Sequence, residues 1–249
     1  LAVFGIVLVA FDRGGFGETS QQTLAVGVGC ERGTSFRELE ELVTKTLHDN
    51  GLADYAVASY ATVDIKEDEP AISQLADHQR VRFFTVEELL LQAPKIQSPS
   101  ETVMAEIGTP SVAEAAALAA AGPDSILIVS KSKSKRATCA IARSPTPILE
   151  QKGRPAGRLS VIGVGPGHKD MRSPEASRAL WGATDFVGYS LYLDLVVDEH
   201  HEQTLHPFPL GDEEIRVRHA IELAKQGKQV ALVCSGDAGI YAMAALVYE

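Results

Sequence analysis

Short apolar runs alternate with amphipathic stretches through the first part of the chain. The apolar runs are bounded by glycine, proline and polar residues, which predicts buried strands. Between the first two runs, Leu39, Leu42, Val43 and Leu47 recur at helical spacing and predict an amphipathic helix. We expect strands at 24–28, 55–63, 82–84, 125–129 and 137–142.

Two capping boxes mark predicted helix starts in this region. In a capping box a serine hydroxyl accepts a backbone N–H of the first turn, and a glutamate three residues later reaches back to the serine N–H. Ser35 and Glu38 form the first pair, and Ser111 and Glu114 form the second, ahead of an alanine-rich helix. Strands that alternate with helices predict a doubly wound α/β domain over residues 23–143.

A second alternating region follows a proline-rich stretch. Prolines and polar residues occupy 144–156, which predicts a linker. Beyond it, apolar runs at 159–162 and 229–234 predict strands that each end in a glycine-rich loop. Loops that follow parallel strands lie at one edge of a sheet, so both could line a single crevice. We therefore expect a second doubly wound α/β domain over residues 157–249, with a binding site at that edge.

The first glycine-rich loop does not match a nucleotide-binding fingerprint. His168 stands where GxGxxG requires its third glycine, and Pro166 lacks the N–H that a phosphate would need. A nicotinamide enzyme would also need an acid about twenty residues further on, and Asp185 in that place precedes a strand. Two alternatives remain. The first loop could be a tight turn that binds no ligand, and Asp237 in the second loop could only cap a helix.

The sequence from Gly157 onward resembles the first half of a tetrapyrrole methylase. The resemblance rests on paired GxGPG and SGDxGxY loops, present as GVGPG and SGDAGIY, with Gly188-Tyr189 and Tyr192-Leu193 as in precorrin-3B C17-methyltransferases. It implies S-adenosylmethionine as methyl donor and methylation of precorrin-3B at C17, with ring contraction, in cobalamin (corrin ring) biosynthesis. Donor contacts are implied at Pro166, Ser235, Gly236, Asp237 and Ile240, and tetrapyrrole contacts at Gly165, Gly167, His168 and Tyr189.

The sequence departs from that family pattern in three places. His168 replaces an acid that often follows GPG, and Ala238 replaces the proline that usually follows SGD. The family's second domain, which closes the donor cleft, does not follow Glu249, so we expect an incomplete methylase. A non-catalytic protein that binds a tetrapyrrole intermediate is the alternative.

The first predicted domain resembles another family that acts on corrin precursors. VGVGCERGTS, ATVDIKEDEP, SVAEAAAL and the lysine-rich turn before ATCAIAR are similar to the C-terminal domain of cobalt-precorrin-5A hydrolases. Arg32, Lys66 and Lys131 could pair with substrate carboxylates. Alternatively, Glu114 only caps a helix and the basic run 131–136 is a solvated turn. The predicted substrate contacts in this domain are Cys30, Arg32, Lys66 and Glu114.

Composition narrows the classes of partner and compartment. A net charge of −10 disfavours nucleic acid and anionic membranes as partners. Three scattered cysteines without a CxxC pair indicate a reducing, cytoplasmic setting, and no histidine partner is evident that would make Cys30 a nucleophile. The apolar run 1–11 is too short to span a bilayer, and the segment 1–22 stays unassigned.

We predict no metal site from the histidines. His200, His201 and His206 lie in a polar connection without helical i,i+4 spacing, so we expect exposed loop residues. The methylase family is typically dimeric, and the resemblance therefore implies a homodimer.

Overall fold

The structure, a computed structural model, describes residues 22–197 and 202–236 together with residues 244 and 247. Its strands form one six-stranded and one four-stranded sheet, each covered by helices on both faces. This arrangement confirms the predicted class of two doubly wound α/β units. All but the last residue of the unassigned segment 1–22 lie outside the described residues.

The first sheet contains strands of both directions. Strands β1, β2 and β3 run parallel to one another, whereas β4, β5 and β6 are antiparallel to their neighbours, in the order β4-β5-β1-β2-β3-β6. The strands are β1 (Leu24–Cys30), β2 (Val57–Val63), β3 (Val81–Phe84), β4 (Ile126–Lys133), β5 (Ala137–Arg143) and β6 (Arg154–Pro155).

Five helices accompany this sheet. The predicted stripe of leucines and Val43 on α1 is buried against one face together with α2, and the alanine-rich α5 covers the other face. The helices are α1 (Phe36–Asp49), α2 (Pro70–His78), α3 (Val86–Leu90), α4 (Glu101–Ile107) and α5 (Val112–Ala121).

Helix α5 lies very close to β1 because Gly27 has no side chain. A Cβ atom at Gly27 would lie 1.8 Å from the carbonyl oxygen of Ala113 and 2.6 Å from the nitrogen of Ala117. All residues of α5 are buried, and most of them are alanine. Small side chains on both surfaces therefore let the helix approach the sheet, and this approach fixes the position of its first residues at the sheet edge.

The first predicted capping box is half present. Ser35 caps α1, since its Oγ accepts the N–H of Glu38 at 3.2 Å. The carboxylate of Glu38 does not return to Ser35 but accepts the Ser134 hydroxyl at 2.6 Å and the Arg136 N–H at 2.7 Å. The turn between β4 and β5 supplies these donors, so a tertiary contact displaces the local one.

The second predicted capping box is wrong. Within the described residues the Ser111 hydroxyl makes no capping bond, and the Glu114 carboxylate accepts backbone N–H groups of other segments instead. A complete box is present where none was predicted, since Thr85 and Glu88 cap α3 reciprocally. Sequence spacing alone cannot tell which carboxylate finds a better partner elsewhere in the fold.

The basic run and the predicted linker each contribute a short segment to the first sheet. Lys131 and Lys133 are part of β4, so only residues 134–136 form the turn to β5. The stretch 144–156 is also attached, because the Ile148 N–H donates to the carbonyl of Gln22 at 2.9 Å and β6 pairs with β3. A domain boundary within this stretch stays a prediction.

The second sheet is fully parallel, with its last strand placed in the interior. Its strands are β7 (Arg158–Gly163), β8 (Asp185–Tyr189), β9 (Thr204–Phe208) and β10 (Gln229–Cys234), in the order β7-β10-β8-β9. Helices α6 (Pro174–Gly182) and α7 (Ser190–Val197) cover one face, and α8 (Glu213–Lys225) covers the other. Because β10 lies beside β7, the loops after these two strands are neighbours.

A helix that spans a membrane must be both long and predominantly apolar. None of the helices in the described residues is long and apolar enough to cross a bilayer.

Replacing Gly27 with alanine should destabilise the first unit. The new Cβ would overlap the backbone of α5, which cannot move without losing its packing, so we expect a loss of at least about 2 kcal/mol. Urea unfolding followed by circular dichroism measures the change. Gly182→Ala is the matched control, because a Cβ there meets no described atom within 4 Å, and a change of less than about 1 kcal/mol is expected. Equal stability of the two variants would contradict the close approach of α5.

Candidate functional site

The two glycine-rich loops of the second unit are hydrogen-bonded to each other. Strands β7 and β10 are in register up to Gly163 and Cys234, and the chains stay together beyond that point. The Gly165 N–H donates to the Gly236 carbonyl at 3.1 Å, and the Gly236 N–H donates to the Gly165 carbonyl at 3.3 Å. The prediction that both loops lie at one sheet edge is therefore confirmed. We call residues 163–167 and 235–236 the paired glycine loops.

Both bridging residues need glycine for the conformation of the backbone. Gly165 has φ +57° and Gly236 has φ +59°, in the left-handed region that side chains disfavour. A Cβ at Gly236 would meet no described atom within 4 Å, so space alone would admit alanine. Glycine at position 236 is therefore required by the backbone conformation of the loop. The absence of a side chain there also leaves this part of the sheet edge accessible to a ligand.

A cavity of about 560 Å³ lies beside the paired glycine loops. Gly163, Gly165 and Gly236 form part of its wall, and the start of α6 with Ser173 forms another part. The cavity thus lies between the bridging backbone and the first helix of the unit. Its volume is in the range of small-molecule sites.

The structure places the other predicted residues of this site at different depths. Pro166 and His168 are exposed at the tip of the first loop, where the His168 Nδ1 accepts the Asp170 N–H at 3.4 Å. Tyr189 ends β8, the strand beside β10, and its half-buried ring stands edge-on to Tyr192 at 5.3 Å between centroids. Gly167, Ser235 and Gly236 complete the described set, while Asp237 and Ile240 lie outside the described residues.

A second cavity opens at the carboxyl ends of β1 and β2 in the first sheet. Its volume is about 570 Å³, and its walls come from the loop after β1, the turn Asp64–Lys66, α4, the start of α5 and the β4–β5 hairpin. We call it the basic cavity, because six cationic side chains and two acidic ones line it. These are Arg32, Lys66, Lys131, Lys133, Lys135 and Arg136, with Glu31 and Glu106.

The arginines and the lysines of the basic cavity differ in their pairing. Arg32 lies 2.9 Å from Asp68 and 3.1 Å from Glu69, and Arg136 lies 3.3 Å from Glu31. The four lysines have no acidic partner within 4 Å among the described residues. The arginines are thus part of the framework. The Lys131 ammonium donates to the Ser98 carbonyl at 2.5 Å, and within the described residues no acidic side chain neutralises the four lysine charges.

Glu114 holds the walls of the basic cavity together and does not face a ligand. It is fully buried, and its carboxylate accepts the N–H groups of Gln97, Ser98 and Lys131 at 2.9, 3.0 and 2.9 Å. Burial by itself raises the pKa of Glu114, but the three backbone donors outweigh it and hold that pKa below its ordinary value. A charged carboxylate therefore fastens α5 to β4 and to the loop before α4.

Cys30 lines the basic cavity as a protonated thiol. Burial raises its pKa to about 11, against the opposing charge of Lys66. A nucleophilic cysteine requires a lowered pKa, so the structure gives no support to covalent chemistry at this residue. Cys30 contributes shape and weak polarity to the wall.

Two features of the basic cavity escape sequence reasoning. Lys131, Lys133 and Lys135 stand at every second position of the chain. In a strand this spacing places side chains on one face, as it does for Lys131 and Lys133 in β4, whereas Lys135 lies in the turn that follows. Interpreting the whole run 131–136 as a turn hides this pattern. Ser111 also lines the cavity, with 1% of its surface exposed and no hydrogen-bond partner for its Oγ among the described residues. The capping motif gives Ser111 a local role that it does not have.

Asp185 and His206 belong to a structural network away from both cavities. Asp185 is buried at the start of β8, and His206 lies in β9 with its Nε2 donating to the Asp185 carboxylate at 2.9 Å. The His219 Nε2 is hydrogen-bonded in turn to the His206 Nδ1 at 3.0 Å. The expectation of an exposed loop histidine is wrong for His206, and Asp185 is not available to a ribose. His200 and His201 lie outside the described residues.

Metal coordination has no candidate cluster in the described part of the chain. Among those residues, no group of three or more His, Cys, Asp or Glu side chains could hold an ion.

Comparisons with known proteins match two separate parts of the chain. The family model for the cobalamin synthesis G C-terminus matches residues 24–142. The model for tetrapyrrole (corrin/porphyrin) methylases matches residues 158–249. Both resemblances noted in the sequence are therefore confirmed.

Individual relatives match one unit or the other. Protein CobE of Sinorhizobium sp is 38% identical over 144 residues, which is 55% of this chain and 94% of that protein. Cobalamin biosynthesis protein CobIJ of Mycobacterium bovis is 46% identical over 93 residues, or 37% of this chain and 18% of that protein. A probable cobalt-factor III C(17)-methyltransferase of Salmonella typhimurium is 47% identical over 91 residues, or 36% of this chain and 38% of that protein. The chain thus spans less than half the length of these methylase relatives.

Alkylation of Cys30 tests the electrostatics of the basic cavity. With a pKa of about 11, only about one thiol in a thousand is ionised at pH 8, against about one in four for an ordinary cysteine. We expect the rate of iodoacetamide labelling at Cys30, measured by mass spectrometry, to rise about tenfold per pH unit from pH 7 to pH 10. A rate that levels off below pH 9 would contradict the protonated thiol.

Proposed function

Since the chain belongs to the cobalamin synthesis G C-terminus family through its first unit and to the tetrapyrrole methylases through its second, we propose that it acts in cobalamin biosynthesis. The proposed reaction is the S-adenosylmethionine-dependent methylation of precorrin-3B at C17, with ring contraction. A module of the cobalt-precorrin-5A hydrolase type precedes the methylase unit in the same chain.

The hydrogen-bonded pair of Gly165 and Gly236 is the observation that carries this proposal. In methyl transfer, a ring carbon donates an electron pair to the methyl group while the S–CH₃ bond breaks and its electrons return to sulfur. Such a step needs in-line positioning and a dry site more than it needs an acid–base pair. Two loops tied together through their backbones offer a fixed edge for that positioning.

The residues of the second unit divide between donor and acceptor in this proposal. Pro166, Ser235 and Gly236, with Asp237 and Ile240 beyond the described part, contact S-adenosylmethionine. Gly165, Gly167, His168 and Tyr189 face the tetrapyrrole. No side chain is assigned as a catalytic acid or base, because the transfer itself moves a methyl group and not a proton.

A binding protein without methylase activity is the second candidate function. The observation in its favour is the basic cavity, whose walls come entirely from residues of the first unit. Such a protein would hold a tetrapyrrole intermediate through its carboxylates. In either case we propose a cytoplasmic protein, a homodimer, that binds neither nucleic acid nor membranes.

Calorimetric titration with S-adenosylmethionine tests the methylase proposal. It is carried out on this chain and on one lengthened by a complete second methylase domain. We expect at least the lengthened chain to bind S-adenosylmethionine. Gly236→Ala in the chain that binds should weaken the affinity about tenfold, because alanine disfavours the left-handed conformation at that position.

Gly211→Ala is the matched control for that titration. Gly211 also has a positive φ, +98°, and a Cβ there meets no described atom within 4 Å. It lies in the loop between β9 and α8 and does not line the cavity beside the paired glycine loops. An equal loss in both variants would mean general destabilisation. Binding by neither chain would overturn the methylase proposal and leave the binding-protein candidate.

A further inference from the structure

We infer that the basic cavity of the first unit is a binding site for a polycarboxylate, separate from the paired glycine loops of the second unit. The proposed function suggests which polycarboxylate binds, a tetrapyrrole that carries carboxylates, and the inference rests on it for that identity alone. The charge of the cavity, an unsatisfied buried hydroxyl and the geometry of the walls support the site itself.

The charge of the basic cavity opposes that of the whole chain. The protein carries a net charge of −10, yet six cations and two acids line this one cavity. Both arginines have acidic partners, but the four lysines have none among the described residues, and like charges without counterions repel one another at a cost in free energy. Burial, together with the neighbouring Lys133 ammonium, lowers the pKa of Lys131, whereas Glu114 opposes this shift. A bound anion would relieve this repulsion.

Ser111 supplies a hydrogen-bond donor that the protein itself does not use. Its Oγ is buried at the wall of the cavity and has no partner among the described residues, although buried hydroxyls are nearly always paired. Ser111 also stands immediately before α5, a helix of ten residues, and the partial positive charge at a helix N-terminus favours an anion. A carboxylate oxygen within reach of Ser111 would satisfy the hydroxyl.

The arrangement of the cations favours several carboxylates over one. Lys131 and Lys133 project from β4, while Lys66 ends the turn after β2 on another wall. These groups sit around a volume of about 570 Å³, which is more than a single carboxylate requires. Ammonium groups act as point charges without a fixed fork, so they adapt to carboxylates on flexible side chains.

Binding of uroporphyrin I, a macrocycle with eight carboxylates, tests the inference on the full chain. Citrate serves as a small polycarboxylate and sodium acetate as a single carboxylate. We expect saturable binding of uroporphyrin by calorimetry, weakened by added salt and about fivefold to tenfold weaker in Lys66→Gln and in Ser111→Ala. Lys45→Gln is the matched charge control, because Lys45 lies on α1 and pairs with Asp49.

Ser111→Ala separates a ligand role from a structural one. Removing a hydroxyl that has no partner should leave the melting temperature unchanged or raise it, while the affinity for uroporphyrin falls. Equal affinities for citrate and uroporphyrin would assign the site to small polycarboxylates, and preference for uroporphyrin would assign it to the macrocycle. Both results support the inferred ligand class.

Three results would overturn the inference. They are no binding of either polycarboxylate, binding of acetate as tight as that of uroporphyrin, and binding that Lys66→Gln and Ser111→Ala leave unchanged. The methylase proposal is tested independently, because Gly236→Ala should weaken S-adenosylmethionine and leave uroporphyrin binding at this cavity intact.

Discussion

The reciprocal backbone hydrogen bonds between Gly165 and Gly236 tie together the two loops on which the proposed chemistry of the second unit depends. They exist because β10, the last described strand, lies between β7 and β8, so the loop that closes the unit runs beside the loop that opens it. A side chain at either position would disfavour the required φ and loosen the contact. Sequence-distant loops thereby form one continuous edge, which is what the proposed in-line methyl transfer would require.

The first unit organises its own edge by a different means. Gly27 allows α5 to lie directly on β1, and the buried Glu114 near the start of that helix binds backbone N–H groups from three other positions. One charged carboxylate thus fastens three walls of the basic cavity to one another, while the lysines around it stay without acidic partners among the described residues. The two units therefore present two differently built sites, a backbone edge and a basic cavity.

The sequence predicts the fold well where local pattern and tertiary structure agree. The stripe Leu39, Leu42, Val43 and Leu47 is buried as expected, and strand endings locate both glycine loops at one edge. Prediction from the sequence fails where a side chain forms hydrogen bonds with residues far along the chain in place of the local bonds that its spacing suggests. Glu114 satisfies the spacing of a capping box but binds Lys131, seventeen residues away. Similarly, His206 on β9 is hydrogen-bonded to Asp185 on the neighbouring strand β8, and no spacing rule predicts this contact.

The paired glycine loops are proposed to act as one site for the methyl donor. A titration with S-adenosylmethionine, followed by NMR of the backbone amides in the ¹⁵N-labelled chain that binds the donor, is the direct test. We predict that the amide signals of Gly165 and Gly236 shift together and saturate at the same donor concentration, while the amide signals of Lys66 and Lys131 stay unchanged. Shifts confined to one of the two loops, or centred on the lysines of the first unit, would contradict it.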